Sequence, residues 1–329
     1  MPIYPNEKYR ELRQLVEEQA GQKLPGEREL ASQFNIPRSG IRALLDELET
    51  EGLVRRQQGS GTYAVDKEAK YLKTVALLID AELKLGDDPF FTLLVEYLQA
   101  HLQANGISCM IERTNQHWRP RNGYDGAITL GQAGQVILAH IQRDAPPVVC
   151  LLLYARLPID APASIFQLAD REAGNTAVQR LLTAGCREVV FVGKRDIPAS
   201  RERLAGVEET LNEANVPLHF INCSLNYTAG LRLGQEMRLP ESDEPIGMIA
   251  ANDWLAIGLR AGLSNRVVTR LPELLLVSFD GLPITADALL RIESLVAPLQ
   301  TIAADAVAEL HRLLTRAPGR VVHYAFHWR

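Results

Sequence analysis

Arg38 and Arg42 stand four residues apart at the start of a segment whose apolar positions, Ile41, Leu44, Leu45 and Leu48, share one stripe. On a helix, both guanidinia and Ser39 fall off that stripe and leave a separate basic face at the N-terminal end. Such a face can donate to guanine edges or to phosphates. Arg28 opens the preceding short helical segment, where a phosphate contact is natural. The run Gly59-Ser60-Gly61 makes a slim turn tip that can approach a groove closely, since glycine has no side chain. Catalytic chemistry has no comparable support. None of the seven histidines sits in an HExxH spacing, no GxSxG elbow or GxxxxGK[ST] loop occurs, and Gly131-Gln132-Ala133-Gly134 lacks dinucleotide-loop spacing. Cys109, Cys150, Cys186 and Cys223 lie far apart and form no zinc-type cluster. Neither an enzyme nor a cofactor is expected, and the cysteines read as buried thiols in a reducing compartment.

The elements that must carry these residues follow from periodicity. Lys8–Ala20 is spaced as a helix, Pro25-Gly26 breaks it, and Glu27–Phe34 reads as a second, short helix with acids in its first turn. Asn35-Ile36-Pro37 makes a tight turn into a third helix that runs to about Glu51 and is stopped by Gly52. Leu53–Gln57 and Thr62–Val65 then form a hairpin. The charged stretch 67–73 is the expected linker between a domain at 1–66 and a second at 74–329. From Thr74 the pattern is α/β: buried strands at Val75–Ile79, Ser108–Ile111, Gly126–Thr129, Val148–Tyr154, Glu188–Val192, Ile246–Ala250 and Leu274–Phe279. Helices are expected at Phe91–Asn105, Asn175–Ala184, Arg201–Ala214, Tyr227–Met237 and Leu255–Leu263. Such a length predicts two lobes of parallel sheet, with a ligand between them at the carboxyl ends of the strands.

Composition narrows the class without choosing within it. The 329 residues are 47% hydrophobic and 23% charged, an ordinary globular balance. No apolar stretch approaches the roughly 20 residues that span a bilayer, and the N-terminus has no signal-peptide pattern, so a cytoplasmic protein without membrane contact is expected. The net charge of −5 does not favour a polyanionic partner. Locally the balance is no better, with nine Lys or Arg against eleven Asp or Glu over residues 1–66. Any contact with nucleic acid must therefore come from placement.

Four blocks in register carry a family resemblance: Leu24-Pro25-Gly26-Glu27-Arg28-Glu29-Leu30-Ala31, Pro37–Leu44, Leu48-Glu49-Thr50-Glu51-Gly52-Leu53-Val54 and Gly59-Ser60-Gly61-Thr62-Tyr63. Together they resemble the GntR family over roughly residues 8–65. The resemblance implies a winged helix-turn-helix, a homodimer and a palindromic double-stranded operator, with DNA contacts from Arg28, Arg38, Ser39, Gly40, Arg42, Gly59 and Ser60. Pro37 stands where that family usually has serine and Gly40 where it often has threonine. The operator sequence cannot be carried over.

Residues 74–329 resemble a different group, the LacI-type sensor with its periplasmic-binding-protein-like fold, through Asp170–Gly174, Arg203-Leu204-Ala205-Gly206, Ala251–Gly258 and Val277-Ser278-Phe279-Asp280. Joined to a GntR-type domain, this is the arabinose-repressor arrangement. It implies effector contacts from Arg203, Asn252 and Asp280, an aromatic contact from Tyr227, and weaker ones from Asp80 and Phe90. Arg donates from a fixed fork, Asp accepts from hydroxyls and Asn does both, a set suited to a small polar, sugar-like effector. Each has a plainer reading: Asn252 as a helix cap, Asp280 as a turn residue beside Gly281, Tyr227 as core. The expectation is a DNA-binding transcriptional regulator, a repressor by family habit, that responds to such an effector. The alternative is a DNA-binding protein whose C-terminal domain serves dimerisation or protein contact.

Overall fold

The computed structural model describes residues 6–19, 22–57, 61–64, 71–115, 123–238, 245–264 and 274–329. The chain divides into two compact units, Met1–Tyr71 and Leu72–Arg329. Gly59, Ser60 and positions 67–70 of the expected linker lie outside the described residues.

The first unit is three helices and a hairpin: α1 (Asn6–Glu18), α2 (Glu27–Phe34), α3 (Arg38–Thr50), β1 (Val54–Gln57) and β2 (Gly61–Ala64). At the start of α2 the Glu29 carboxylate accepts from the Gly26 N–H at 2.9 Å. Asn35, in the left-handed region at φ 52°, ends the helix, and the Ile36 N–H returns to the Ala31 carbonyl. Gly52, at φ 68°, does the same for α3 and lets the Leu53 N–H reach the Leu48 carbonyl at 2.8 Å. β1 and β2 pair antiparallel, Val54 opposite Ala64. The chain at 22–24 is tied to β2 by an isolated antiparallel bridge, Leu24 N–H donating to the Thr62 carbonyl and Ala64 N–H to that of Gln22. Leu12, Val16, Leu30, Phe34, Ile41, Leu45 and Leu48 are buried in one cluster. Each such side chain contributes about 1.5–3 kcal/mol, against about 0–1 kcal/mol for an exposed ion pair. The apolar stripe therefore holds the unit, and the surface charges are free to serve another purpose.

The second unit has two lobes. The chain first builds β3 (Thr74–Asp80), α4 (Pro89–Ala104), β4 (Ser108–Thr114), β5 (Gly126–Leu130), α5 (Ala133–Leu138), β6 (Val148–Leu151) and β7 (Ala163–Leu168). It crosses to the second lobe for α6 (Asp170–Thr183), β8 (Val189–Gly193), α7 (Pro198–Ala214), β9 (Leu218–Asn222), α8 (Tyr227–Glu236), β10 (Ile246–Ala250), α9 (Asp253–Ser264), β11 (Leu274–Asp280) and β12 (Ile292–Val296). It returns for α10 (Leu299–Leu314) and β13 (Val321–Tyr324), then crosses again to β14 (His327–Trp328). The sheets run β13-β7-β6-β5-β3-β4 and β14-β12-β11-β10-β8-β9. Every pairing between them is parallel except β12 with β14. The α/β expectation holds, and the sheets extend it by β7, β9, β12, β13 and β14, with α5 and α10 as further helices.

Glycine-lined helix pairs bring the second lobe's functional residues together. A Cβ on Gly174 of α6 would lie 2.1 Å from the Arg203 carbonyl oxygen, and one on Gly206 of α7 would lie 1.9 Å from that of Arg171. No side chain fits there, so α6 and α7 touch backbone to backbone. Across α8 and α9, a Cβ on Gly258 would meet the Tyr227 carbonyl at 2.1 Å and one on Gly262 that of Leu231 at 2.2 Å.

Candidate functional site

In the first unit, Arg28, Arg38, Ser39 and Arg42 are exposed, whereas Gly40 lies on the buried side of α3. Arg38 and Arg42 are not free ends. Glu27, at the first position of α2, accepts from Arg42 Nε at 3.2 Å and Nη2 at 2.8 Å, and from Arg38 Nη2 at 3.3 Å. The Arg42 bonds hold the Glu27 carboxyl below its ordinary range against the opposing effect of burial. Arg56 is turned to Asp46 and to the Arg42 carbonyl, which fixes β1 against α3.

In the second unit the C-terminal ends of the lobe-two strands hold a buried polar cluster centred on Arg203, which is 4% exposed. Its Nε donates to Asp170 Oδ1 at 2.6 Å, and its Nη1 to the Ala251 carbonyl at 2.5 Å and more distantly to Asp280 Oδ1 at 3.5 Å. None of these bonds uses Nη2. The guanidinium also lies over two aromatic rings, 4.7 Å from the Phe279 ring centre and 5.3 Å from that of Phe326. Tyr154, from the other lobe, donates its hydroxyl to Asp170. Burial pushes the Asp170 carboxyl up, against the pull of Arg203. It pushes Asp280 well above the carboxylate range against the pull of Arg203, with Asp253, Asp88 and Asp170 adding repulsion. Asp280 stands at φ 110°, a conformation rare outside glycine, at the point where β11 ends. The Asp280 carboxyl is thus buried, on a rare backbone conformation, with one long side-chain contact.

The remaining expected residues fall into three environments. Asn252 lies beside the Ala251 carbonyl, but its Oδ1 accepts from the Leu255 N–H at 3.0 Å and its Nδ2 donates to the Leu225 carbonyl at 3.2 Å, so it caps α9 and ties down the loop before α8. Tyr227 is half-buried with its ring 5.5 Å from that of Trp254. Asp80 serves the frame of its own lobe, and Phe90 lies in an apolar core that also takes in Leu282. The Asp80 carboxylate accepts from the Glu82 and Gln132 N–H groups, and Phe90 is 7% exposed in the apolar core.

Four groups that the sequence reading did not assign belong to the cluster: Asp170, Tyr154, Asp88 and the Ala251 carbonyl. Asp170 stands inside a quoted motif, but its role depends on a residue in the next helix. Asp88 caps α4 through Phe90 and Phe91 N–H, and its charge adds to the repulsion that raises the Asp280 carboxyl. Asp253 is fully buried and serves the frame, accepting from Ser294 Oγ at 2.7 Å, from the Leu282 N–H at 2.6 Å and from Ser278. Beside the cluster, an apolar groove of about 450 Å³ lies between Leu85, Pro89 and Leu93 of one lobe and Trp254, Leu282 and Ile284 of the other.

The cluster also lies where the chain crosses between the lobes. The first crossing leads directly into Asp170, and the third passes through Phe326. Among the described residues no three His, Cys, Asp or Glu gather where a metal ion could sit, and no helix is long and apolar enough to cross a membrane.

These two sites on one chain define a class, the fusion of a DNA-reading helix-turn-helix with a two-lobe ligand-binding fold. Comparison with known proteins gives each half its type: residues 6–64 match the model for bacterial regulatory proteins of the gntR family, and residues 178–326 match that for a periplasmic binding protein-like domain. The chain therefore joins a gntR-type domain to a periplasmic-binding-protein-like domain. Over 284 residues it is 23% identical to the arabinose metabolism transcriptional repressor of Halalkalibacterium halodurans, covering 78% of this chain and 74% of that one. It is 26% identical over 191 residues to the HTH-type transcriptional regulator AscG of Escherichia coli K12, covering 57% of this chain and 54% of that one. A LacI family transcriptional regulator from Enterococcus faecium, solved with bound ribose, shares the fold with a TM-score of 0.66 and 17% identity over 78% of this chain and 97% of that one.

Proposed function

We propose that the protein is a cytoplasmic, homodimeric transcriptional regulator, most simply a repressor, that binds operator DNA through Arg28, Arg38, Ser39 and Arg42. A small, polar, sugar-like effector binding at Arg203, Asp280 and Asp170 changes lobe closure and with it the dimer geometry presented to DNA. The single observation that carries the reading is the pairing on one chain of an exposed arginine face on α3 with a strained, buried Asp280 facing Arg203 where the chain crosses between the lobes. The naming of its relatives as sugar-metabolism repressors supports the sugar class, and the protein acts by binding, without catalysis. An effector shifts the equilibrium only by its difference in affinity between the two lobe arrangements.

A thermal-shift series on the full chain with arabinose, ribose, glucose and glucose 6-phosphate tests it. At one hundred times its Kd a ligand stabilises by about 2.7 kcal/mol, which raises Tm by roughly 5–10 °C for a unit of this size. No saturable rise with any sugar would overturn the sensor reading. It would favour the second one, a C-terminal unit serving dimerisation or protein contact. One feature speaks for that second reading: the Asn252 amide and three Arg203 donor contacts are satisfied internally.

A further inference from the structure

Arg38 and Arg42 sit in the first turns of α3, the positive end of the helix dipole, where cations are disfavoured. The first turn of α3 contains no acid to offset them. The compensating charge comes from the first turn of α2. Glu27 takes the Arg42 fork with both oxygens and the Arg38 Nη2 with Oε2, across eleven and fifteen residues of sequence. Both arginine side chains remain about half exposed, at 51% and 59%, while that of Glu27 is 24% exposed. The carboxylate thus lies behind two guanidinia that face outward. A fork-to-carboxylate pair fixes the plane as well as the position of a guanidinium, and a carboxylate this near a phosphate chain weakens indiscriminate attraction.

We propose that Glu27 is the positioning residue that sets DNA specificity. It orients Arg38 and Arg42 for base edges and, by its charge, suppresses binding to DNA of arbitrary sequence. The inference rests on the reading that the Met1–Tyr71 unit binds DNA. It explains how a unit with nine basic and eleven acidic residues over positions 1–66 could discriminate without a general surplus of positive charge.

The test uses the full-length protein, a duplex selected by it from a random-sequence library, and a random duplex of equal length. Binding of wild type, Glu27→Gln and Glu27→Asp is measured over a salt series. For Glu27→Gln the ratio of selected to random affinity falls about tenfold, the scale of one bidentate base contact. Affinity for the random duplex rises and its salt slope steepens by about one. Glu27→Asp keeps the charge but loses reach, so its ratio falls with no gain on the random duplex. An unchanged ratio in Glu27→Gln overturns the proposal. So does an equal loss on both duplexes accompanied by a lower Tm, which is the signature of a merely structural role. Should wild type select no duplex at all, the DNA-binding reading itself fails, and this outcome is distinct from the other two.

Discussion

Replacing Arg203 with methionine keeps the length that packs over Phe279 and Phe326 and deletes the charge beside Asp170 and Asp280. Asp170 is 2% exposed and Asp280 6%, so neither can recover the loss by turning to water. Breaking a buried pair by removing one partner costs about 3–5 kcal/mol, most of it the stranded charge. The Tyr154 hydroxyl still serves Asp170, so the expected loss at pH 7 is near the lower end, about 3 kcal/mol. Its pH dependence is the sharper diagnostic. Without Arg203 both carboxyls, already raised in the folded state, rise further, so the folded protein binds more protons than the unfolded one. Stability is then retained below the ordinary aspartate value of about 4 and is lost as pH rises through the folded-state values. Urea unfolding of Arg203→Met and wild type at pH 4 and pH 7, with the two units followed by separate probes, measures both terms. A deficit that is large at pH 7 and small at pH 4 is expected. A deficit under 1 kcal/mol at pH 7, or one indifferent to pH, would refute the assignment of Arg203 as the counter-charge of the cluster.

Three further outcomes follow from the same geometry. Asp280→Asn removes a buried carboxyl on which the pull of Arg203 opposes repulsion by Asp253, Asp88 and Asp170, so the Tm of the unliganded protein stays within about 4 °C of wild type while the effector-induced shift is abolished; a shift that persists counts against Asp280 as an effector contact. Glu309, 1% exposed, accepts from Ser164, Arg312 and Arg320, and these bonds hold its carboxyl down at about 2 despite burial. Glu309→Gln therefore costs about 1–3 kcal/mol at pH 7, a loss that shrinks as pH falls from the ordinary glutamate range toward 2, and urea titrations at pH 7 and pH 3 would show it. Arg42→Ala reduces the salt slope of duplex binding by about one and leaves effector binding unchanged, as mobility shift and thermal shift together would record.

The helix-turn-helix was legible because its signals are local. Arg38 and Arg42, Asn35, Gly52 and the apolar stripe of α3 each act within a turn or two of sequence. Strands with internal partners from elsewhere in the chain were not. β7 holds Ser164 and Gln167, which break its apolar run, yet Ser164 Oγ donates to Glu309, 145 residues away, and Gln167 to the Leu153 carbonyl. β12 holds Glu293 and Ser294, satisfied by Arg180 and Asp253. Polar residues whose partners lie so far along the chain read as loop. α10 differs, since Ile302, Ala306, Leu310 and Leu313 carry helical spacing, although that helix is absent from the expected set. At the site, Arg203 and Asp280 follow from the family motifs, but Asp170, Tyr154 and Asp88 become visible only when the α6–α7 contact and the facing lobe are in place.

If the Arg203 cluster is the effector site, ligand binding there alters DNA binding by the same chain. This coupling is tested most directly by measuring the Kd of the full-length protein for its selected duplex with and without a saturating concentration of the sugar that raises Tm, alongside Asp280→Asn. The expected change is at least about tenfold in wild type, equivalent to about 1.4 kcal/mol of coupling, with none in Asp280→Asn. An unchanged Kd in wild type with the sugar bound would contradict it.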